Sequence, residues 1–167
     1  MALSAVPFIP KDGTITIEDA TGTPISMTVA YEAGDLKMGP FSQSNMNVEA
    51  FFDRGVEFAQ RLVQEQPIPW SFTAIATEFA DATEKTLIDV FCKTGAWSSG
   101  VSQLGAAAEV WAVKITWAGD ASSIGGDTSV VALTYCVGQV EFSEGTPGQF
   151  SCSGLAHFVG SAGLAIA

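Results

Sequence analysis

The sequence predicts a mainly β fold, a β-sandwich or partly closed barrel with one flanking α-helix at about 82–94. Three observations lead there: runs of alternating apolar and polar residues, turn residues between those runs, and a single helical run with a stop signal at each end. The 167 residues suit one domain, 1–167, with apolar terminal segments and a long loop at 34–45. A chain of this length buries roughly 70% of the surface that its unfolded form exposes, so it folds without disulfide or metal staples.

The elements follow in order. Asp12-Gly13 opens Thr14-Ile15-Thr16-Ile17, whose alternation is that of a half-buried strand. Thr21-Gly22-Thr23-Pro24 reads as a turn, and Ile25 to Tyr31 as the next strand. From Gly34 to Asn45 the glycines, Pro40 and the polar residues break all periodicity, which predicts the long loop. Val48–Phe52 and Val56–Val63 flank Asp53-Arg54-Gly55 as a hairpin. Gln64 to Pro69 interrupts the sheet, and Trp70 to Ile75 resumes it. Asp81 and Glu84 have capping-box spacing; Leu87, Ile88 and Phe91 follow at helical spacing, and Gly95 supplies the stop, which gives the helix at 82–94. Val110 to Trp117 places Trp111, Val113, Ile115 and Trp117 on one face, with Lys114 and Thr116 on the other. Thr128 to Phe142 is one long strand, or two joined by a kink at Gly138; Gly145-Thr146-Pro147-Gly148 is a turn, and Phe150 to Val159 closes the sheet.

Composition narrows the function. Apolar residues make up 47% and charged residues only 15%, against about a quarter in a typical soluble domain. So little charge implies that much of the exterior meets protein rather than water. No stretch of about 18 apolar residues occurs and the first ten residues lack a signal-peptide pattern, so a soluble intracellular product is expected. The charge is lopsided, 18 acidic residues against 7 basic for a net of −11, which opposes nucleic-acid binding. DNA passage without adhesion is compatible with it.

Signals for chemistry are sparse. The chain contains no P-loop, GxGxxG, HExxH or GxSxG pattern. Cys92, Cys136 and Cys152 have no metal-site spacing, and His157 is the single histidine, so reduced, mostly buried thiols and a structural histidine are expected. Asp120 and Asp127 flank a Gly/Ser loop too poor in ligands for a calcium motif, and it reads as a solvated turn. Trp70, Trp97, Trp111 and Trp117 are candidates for a sugar platform, although strand spacing places Trp111 and Trp117 in the core. No enzyme activity, cofactor or metal is expected.

Several segments together resemble the tail tube proteins of long, flexible-tailed bacteriophages. They are Lys11 to Pro24, Val29-Ala-Tyr-Glu-Ala-Gly-Asp-Leu36, Asp53-Arg54-Gly55, Gln66-Pro67 and Ser71-Phe72-Thr73-Ala74, followed by the helix and the closing strands in the family's order. Ile68-Pro69-Trp70 departs from the regular start of a strand. The resemblance implies hexameric rings stacked into a hollow tube, a virion component made in the host cytoplasm. It implies as partners further copies of the chain, the tape-measure protein and tail terminator or baseplate proteins, with DNA passing through an acidic lumen without specific binding and no membrane insertion. Under this reading Glu49, Glu57, Gln139 and Glu141 are the candidate lumen-facing residues, although strand parity alone equally allows the outer wall. Asp35, Leu36, Lys37, Met38 and Phe41 in the long loop are the candidates for contact between rings, with segments 1–10 and 160–167 beside them. The alternatives are a carbohydrate-binding β-sandwich adhesin module, and a tube subunit of a contractile injection or type VI secretion system.

Overall fold

Alternation of side chains builds most of the sheet. In β1 (Thr14–Glu18), Ile15 and Ile17 are buried while Thr14 is exposed. In β6 (Ile68–Ile75), Ile68, Trp70, Phe72 and Ala74 are buried, and in β7 (Val113–Ala118), Val113, Ile115 and Trp117. Each strand thus turns one face to a core and the other outward. A computed structural model describes residues 13–29, 35–41, 46–54, 56–65, 67–76, 86–119, 129–157 and 164–166; residues 46–49, 53, 56–58, 60–65 and 166 are described by backbone alone.

The remaining strands are β2 (Ser26–Thr28), β3 (Lys37–Met38), β4 (Met46–Asp53), β5 (Val56–Glu65), β8 (Val130–Ser143), β9 (Gln149–His157) and β10 (Leu164–Ile166). One antiparallel, eight-stranded sheet runs in the order β2-β1-β7-β8-β9-β6-β3 and is not closed. β10 pairs with Val131–Leu133 of β8, opposite β7 and in the same lane as β9. β4 and β5 form a separate two-stranded hairpin, with Arg54 at positive φ in its turn. The fold is mainly β with one α-helix among the described residues, as the sequence predicts.

That helix, α1 (Leu87–Cys92), starts five residues later than predicted. Thr86 has extended backbone and its hydroxyl accepts the Asp89 N–H, so it is the N-cap; the predicted capping pair, Asp81 and Glu84, lies outside the described residues. Lys93 ends the helix in the left-handed conformation, and its N–H donates to the Asp89 carbonyl. Asp89 is buried and accepts from the Thr86 and Thr94 hydroxyls at 2.9 and 2.7 Å, which joins both ends of the helix. Leu87, Val90 and Trp97 close over the core face beside Ile15, Ile115, Leu133 and Trp70, and Phe91 stacks on Trp70.

Three further expectations change. The predicted 34–45 loop contains β3, so its centre is an edge strand. Of the predicted interruption at 64–69, Gln64 and Glu65 belong to β5, and Ile68 and Pro69 belong to β6. Pro69 is tolerated because it faces the sheet edge, where its carbonyl accepts the Gly39 N–H and its missing donor breaks no bond to β9. The irregularity in β8 lies between Leu133 and Cys136 rather than at Gly138: Ile115 pairs with Leu133 and Val113 with Cys136, so β8 carries one extra residue there.

Candidate assembly surface

The extra residue in β8 decides which way its second half faces. Before it, Leu133 is buried; after it, Cys136 is buried and Val140 packs on the core. Tyr135, Val137, Gln139, Glu141 and Ser143 therefore share the outward face, and Gln139 and Glu141 are exposed. Cross-strand register extends that face in rows. Gln139 lies opposite Ser153, itself opposite Ser71; Glu141 lies opposite Ser151, itself opposite Thr73; Ser143 lies opposite Gln149, itself opposite Ile75. β6, β8 and β9 contain no Lys or Arg; the three rows are mostly small and polar and anionic at Glu141, and a fourth row, Val137, Leu155 and Pro69, is apolar. Cations stand at its margins: Lys37 opposite Ser71 at the β3 edge, and Lys114, 3.1 Å from Glu18 on the far flank.

On the core side of the same strands an indole lies close against the backbone. Gly138 and Gly154 are paired, and a Cβ on either would meet the Trp70 ring, at 2.4 and 2.7 Å. Two glycines let the indole lie against the backbone, and the indole covers the apolar gap that they leave. Two shallow grooves of about 490 and 300 Å³ flank Leu155.

The strand edges differ. From Val137 to Glu141, β8 has no strand partner other than β9 among the described residues, a stretch of edge that β7 and β10 do not cover. At the far edge β6 is met by β3 over Trp70 and Ser71, and the Asp35 carboxylate accepts the Thr73 N–H at 2.7 Å.

Each predicted site residue can now be placed. Gln139 and Glu141 come together on the outward face of β8. Glu49 lies opposite Arg61 and Glu57 opposite Phe52, with a register irregularity between Phe51 and Phe52 that breaks the alternation on which their shared parity was counted; their side chains lie outside the described residues. In the 35–41 segment Lys37 and Phe41 are exposed, Leu36 and Met38 pack against the core, and Asp35 is engaged with Thr73. Segments 1–10 and 160–163 and the 120–127 loop also lie outside the described residues. Exposed apolar side chains occur at Phe51 and Phe52 on the hairpin, at Leu104 and Val110 in the loop before β7, and at Phe142 and Leu155.

Sequence reasoning missed Asp19. It is buried at the end of β1, and its carboxylate accepts from the backbone N–H groups of Ile25 at 2.7 Å, Val101 at 3.0 Å and Thr21 at 3.3 Å, and from the Thr21 hydroxyl. An aspartate ahead of Thr21-Gly22 is a side-chain turn signal that points to it. Burial works to raise its pKa, but the bonds from Thr21, Val101 and Ile25 outweigh burial and hold it below 3.8.

Trp70, Trp97 and Trp117 are buried; Trp111 donates to the Val90 carbonyl at 2.7 Å and lies beneath Lys93, 5.0 Å from its ring centre. His157 is exposed opposite Tyr135. Among the described residues no three His, Cys, Asp or Glu side chains converge as a metal site, and no helix is long and apolar enough to cross a membrane. No protein-family model matches the chain, and neither a curated protein nor a solved structure does.

Proposed function

We propose that this chain is the structural subunit of a phage tail tube, in which hexameric rings stack into a hollow conduit whose acidic lumen passes genomic DNA. The observation that carries the reading is the outward face of β8, β9 and β6, on which three rows are mostly Ser, Thr and Gln with Glu141 among them, and no Lys or Arg occurs on the three strands. The three strands offer phosphate no Lys or Arg, the nearest being Lys37 on β3, and the fixed charge of Glu141 repels a passing polyanion. Gln139 and Glu141 are its lumen residues. The open edge of β8 and the separate β4–β5 hairpin suit a chain that completes its sheet with further copies of itself.

In this reading the partners are identical subunits, the tape-measure protein that occupies the lumen and the terminator or baseplate proteins at the tube ends. The place of action is the virion tail. The protein performs no catalysis and uses no cofactor; it works as a passive, electrostatically lubricated wall. A sugar-binding module is disfavoured because three of its four tryptophans are buried and the fourth is covered by Lys93.

Negative-stain microscopy with light scattering over a concentration series tests the proposal. Rings or tubes of uniform diameter with a central hole are expected. A particle that stays monomeric at every concentration, including when mixed with short preformed tubes as seeds, overturns it.

A further inference from the structure

The second half of β8 and the β6 edge are treated differently, and the difference centres on one side chain. β3 pairs with β6 for two residues, Lys37 opposite Ser71 and Met38 opposite Trp70, and Gly39 N–H continues the ladder to the Pro69 carbonyl at 3.0 Å. Continued the other way, the same register puts residue 35 opposite Thr73. A strand would place a backbone carbonyl there; this chain places a carboxylate, and Asp35 Oδ2 takes the Thr73 N–H at 2.7 Å. Three successive edge-facing positions of β6 are thereby closed: Pro69 has no N–H, Ser71 is paired, and Thr73 is capped by a charge.

The carboxylate is held against its own solvation. Its second oxygen, Oδ1, is buried with no hydrogen-bond partner among the described residues. Burial and the nearby Asp35 charge together push the Cys152 thiol up to about 12. An unpaired buried oxygen counts against aspartate for stability alone. A strand-forming residue at this position would avoid it, but would lengthen β3 and present a longer unpaired ladder to a second copy.

We propose that Asp35 is an edge guard, whose carboxylate ends the β3 ladder and blocks a second copy of this chain from adding a strand along β6. Self-association is thereby kept to the other surfaces, the open edge of β8 among them. This holds whether or not the assembled form is a tube.

The test compares wild type with D35A, which removes the acceptor, and with D35N, which keeps an oxygen able to accept the Thr73 N–H. Sedimentation velocity and thioflavin fluorescence are read across a concentration series, with folding checked by the protection of the Cys136 and Cys152 thiols. For D35A the weight-average mass is expected to rise roughly twofold or more above wild type at equal concentration, with thioflavin signal, while D35N stays near wild type. If D35A does not fold, D35S takes its place, its side chain being too short to reach the amide. A folded D35A or D35S with the mass distribution and fluorescence of wild type overturns the proposal, as does a D35N that associates as strongly as D35A.

Discussion

Single buried groups set the stability of this protein more sharply than its surface charges do. Asp19 binds the end of β1 to the turn before β2 and to Val101, so D19A strands at least two N–H groups and costs about 2–4 kcal/mol, read as a lower urea midpoint. The pH dependence follows from the depressed pKa. The carboxylate binds its proton less readily folded than unfolded, so its contribution is complete above the unfolded value of about 4 and fades as pH falls through the folded one. The gap in urea midpoint between wild type and D19A should therefore hold from neutral pH to about 4 and narrow below it. A gap that widens in acid would contradict this assignment. The thiols give a second residue-scale prediction. Cys136 and Cys152 are almost fully buried, and burial pushes both up to about 12, whereas Cys92 is exposed. Iodoacetamide at mildly alkaline pH should modify Cys92 alone in the folded protein and all three cysteines after unfolding, counted by mass spectrometry. By contrast the Glu18–Lys114 pair is about a third exposed on each side, and breaking it should move stability by less than about 1 kcal/mol.

Among the elements, those that alternate were legible and those that break a local rule were not. Ile15, Ile17, Val113, Ile115 and Trp117 fall at period two in the sequence and are buried at period two in the sheet. The helix was found from Leu87, Ile88 and Phe91, but its start was misplaced, because Asp81–Glu84 and Thr86–Asp89 both have cap spacing and only tertiary burial of Asp89 favours the second. The β8 bulge was invisible because nothing in Leu133 to Cys136 marks an extra residue; it exists only relative to β7. Gly138 suggested a kink by composition, whereas its reason for being glycine is the Trp70 ring. That contact predicts the outcome of substitution. In G138A the new Cβ falls 2.4 Å from Trp70 Cζ2, and in G154A it falls 2.1 Å from the Val137 carbonyl. Both substitutions also meet paired backbone, the Ser153 carbonyl oxygen at 2.8 Å in G138A and the Val137 carbonyl oxygen at the closer 2.1 Å in G154A, so G154A should be the worse, with G138A costing about 1–3 kcal/mol and G154A more, compared by thermal melts. Equal melting points for the two would mean that the strands separate readily there.

At the scale of the whole molecule, a net charge of −11 is less informative than its arrangement. The pairing of Gln139 with Glu141 was legible from parity within one strand, and that survives because the bulge lies before both. Grouping them with Glu49 and Glu57 required a register between sheets that a sequence does not encode. If the outward face of β8, β9 and β6 lines a conduit, then Glu141 recurs once per subunit around the bore, where DNA phosphates cannot avoid it. Reversing that charge is then a test of location rather than of total charge. The double variant Q139K/E141K should assemble as wild type does, since both side chains are exposed and make no core contact. It should retain duplex DNA inside the particles, with retention falling steeply as salt rises, because each new lysine releases counterions on binding phosphate. A control with lysine at Glu144, exposed in the β8–β9 turn and off these rows, should leave retention low although it changes the charge comparably. DNA protected from nuclease by the double variant, and not by the control, would place Gln139 and Glu141 on the inner wall. Equal binding by both variants, cleared by nuclease, would place that face outside and remove the strongest support for the tube.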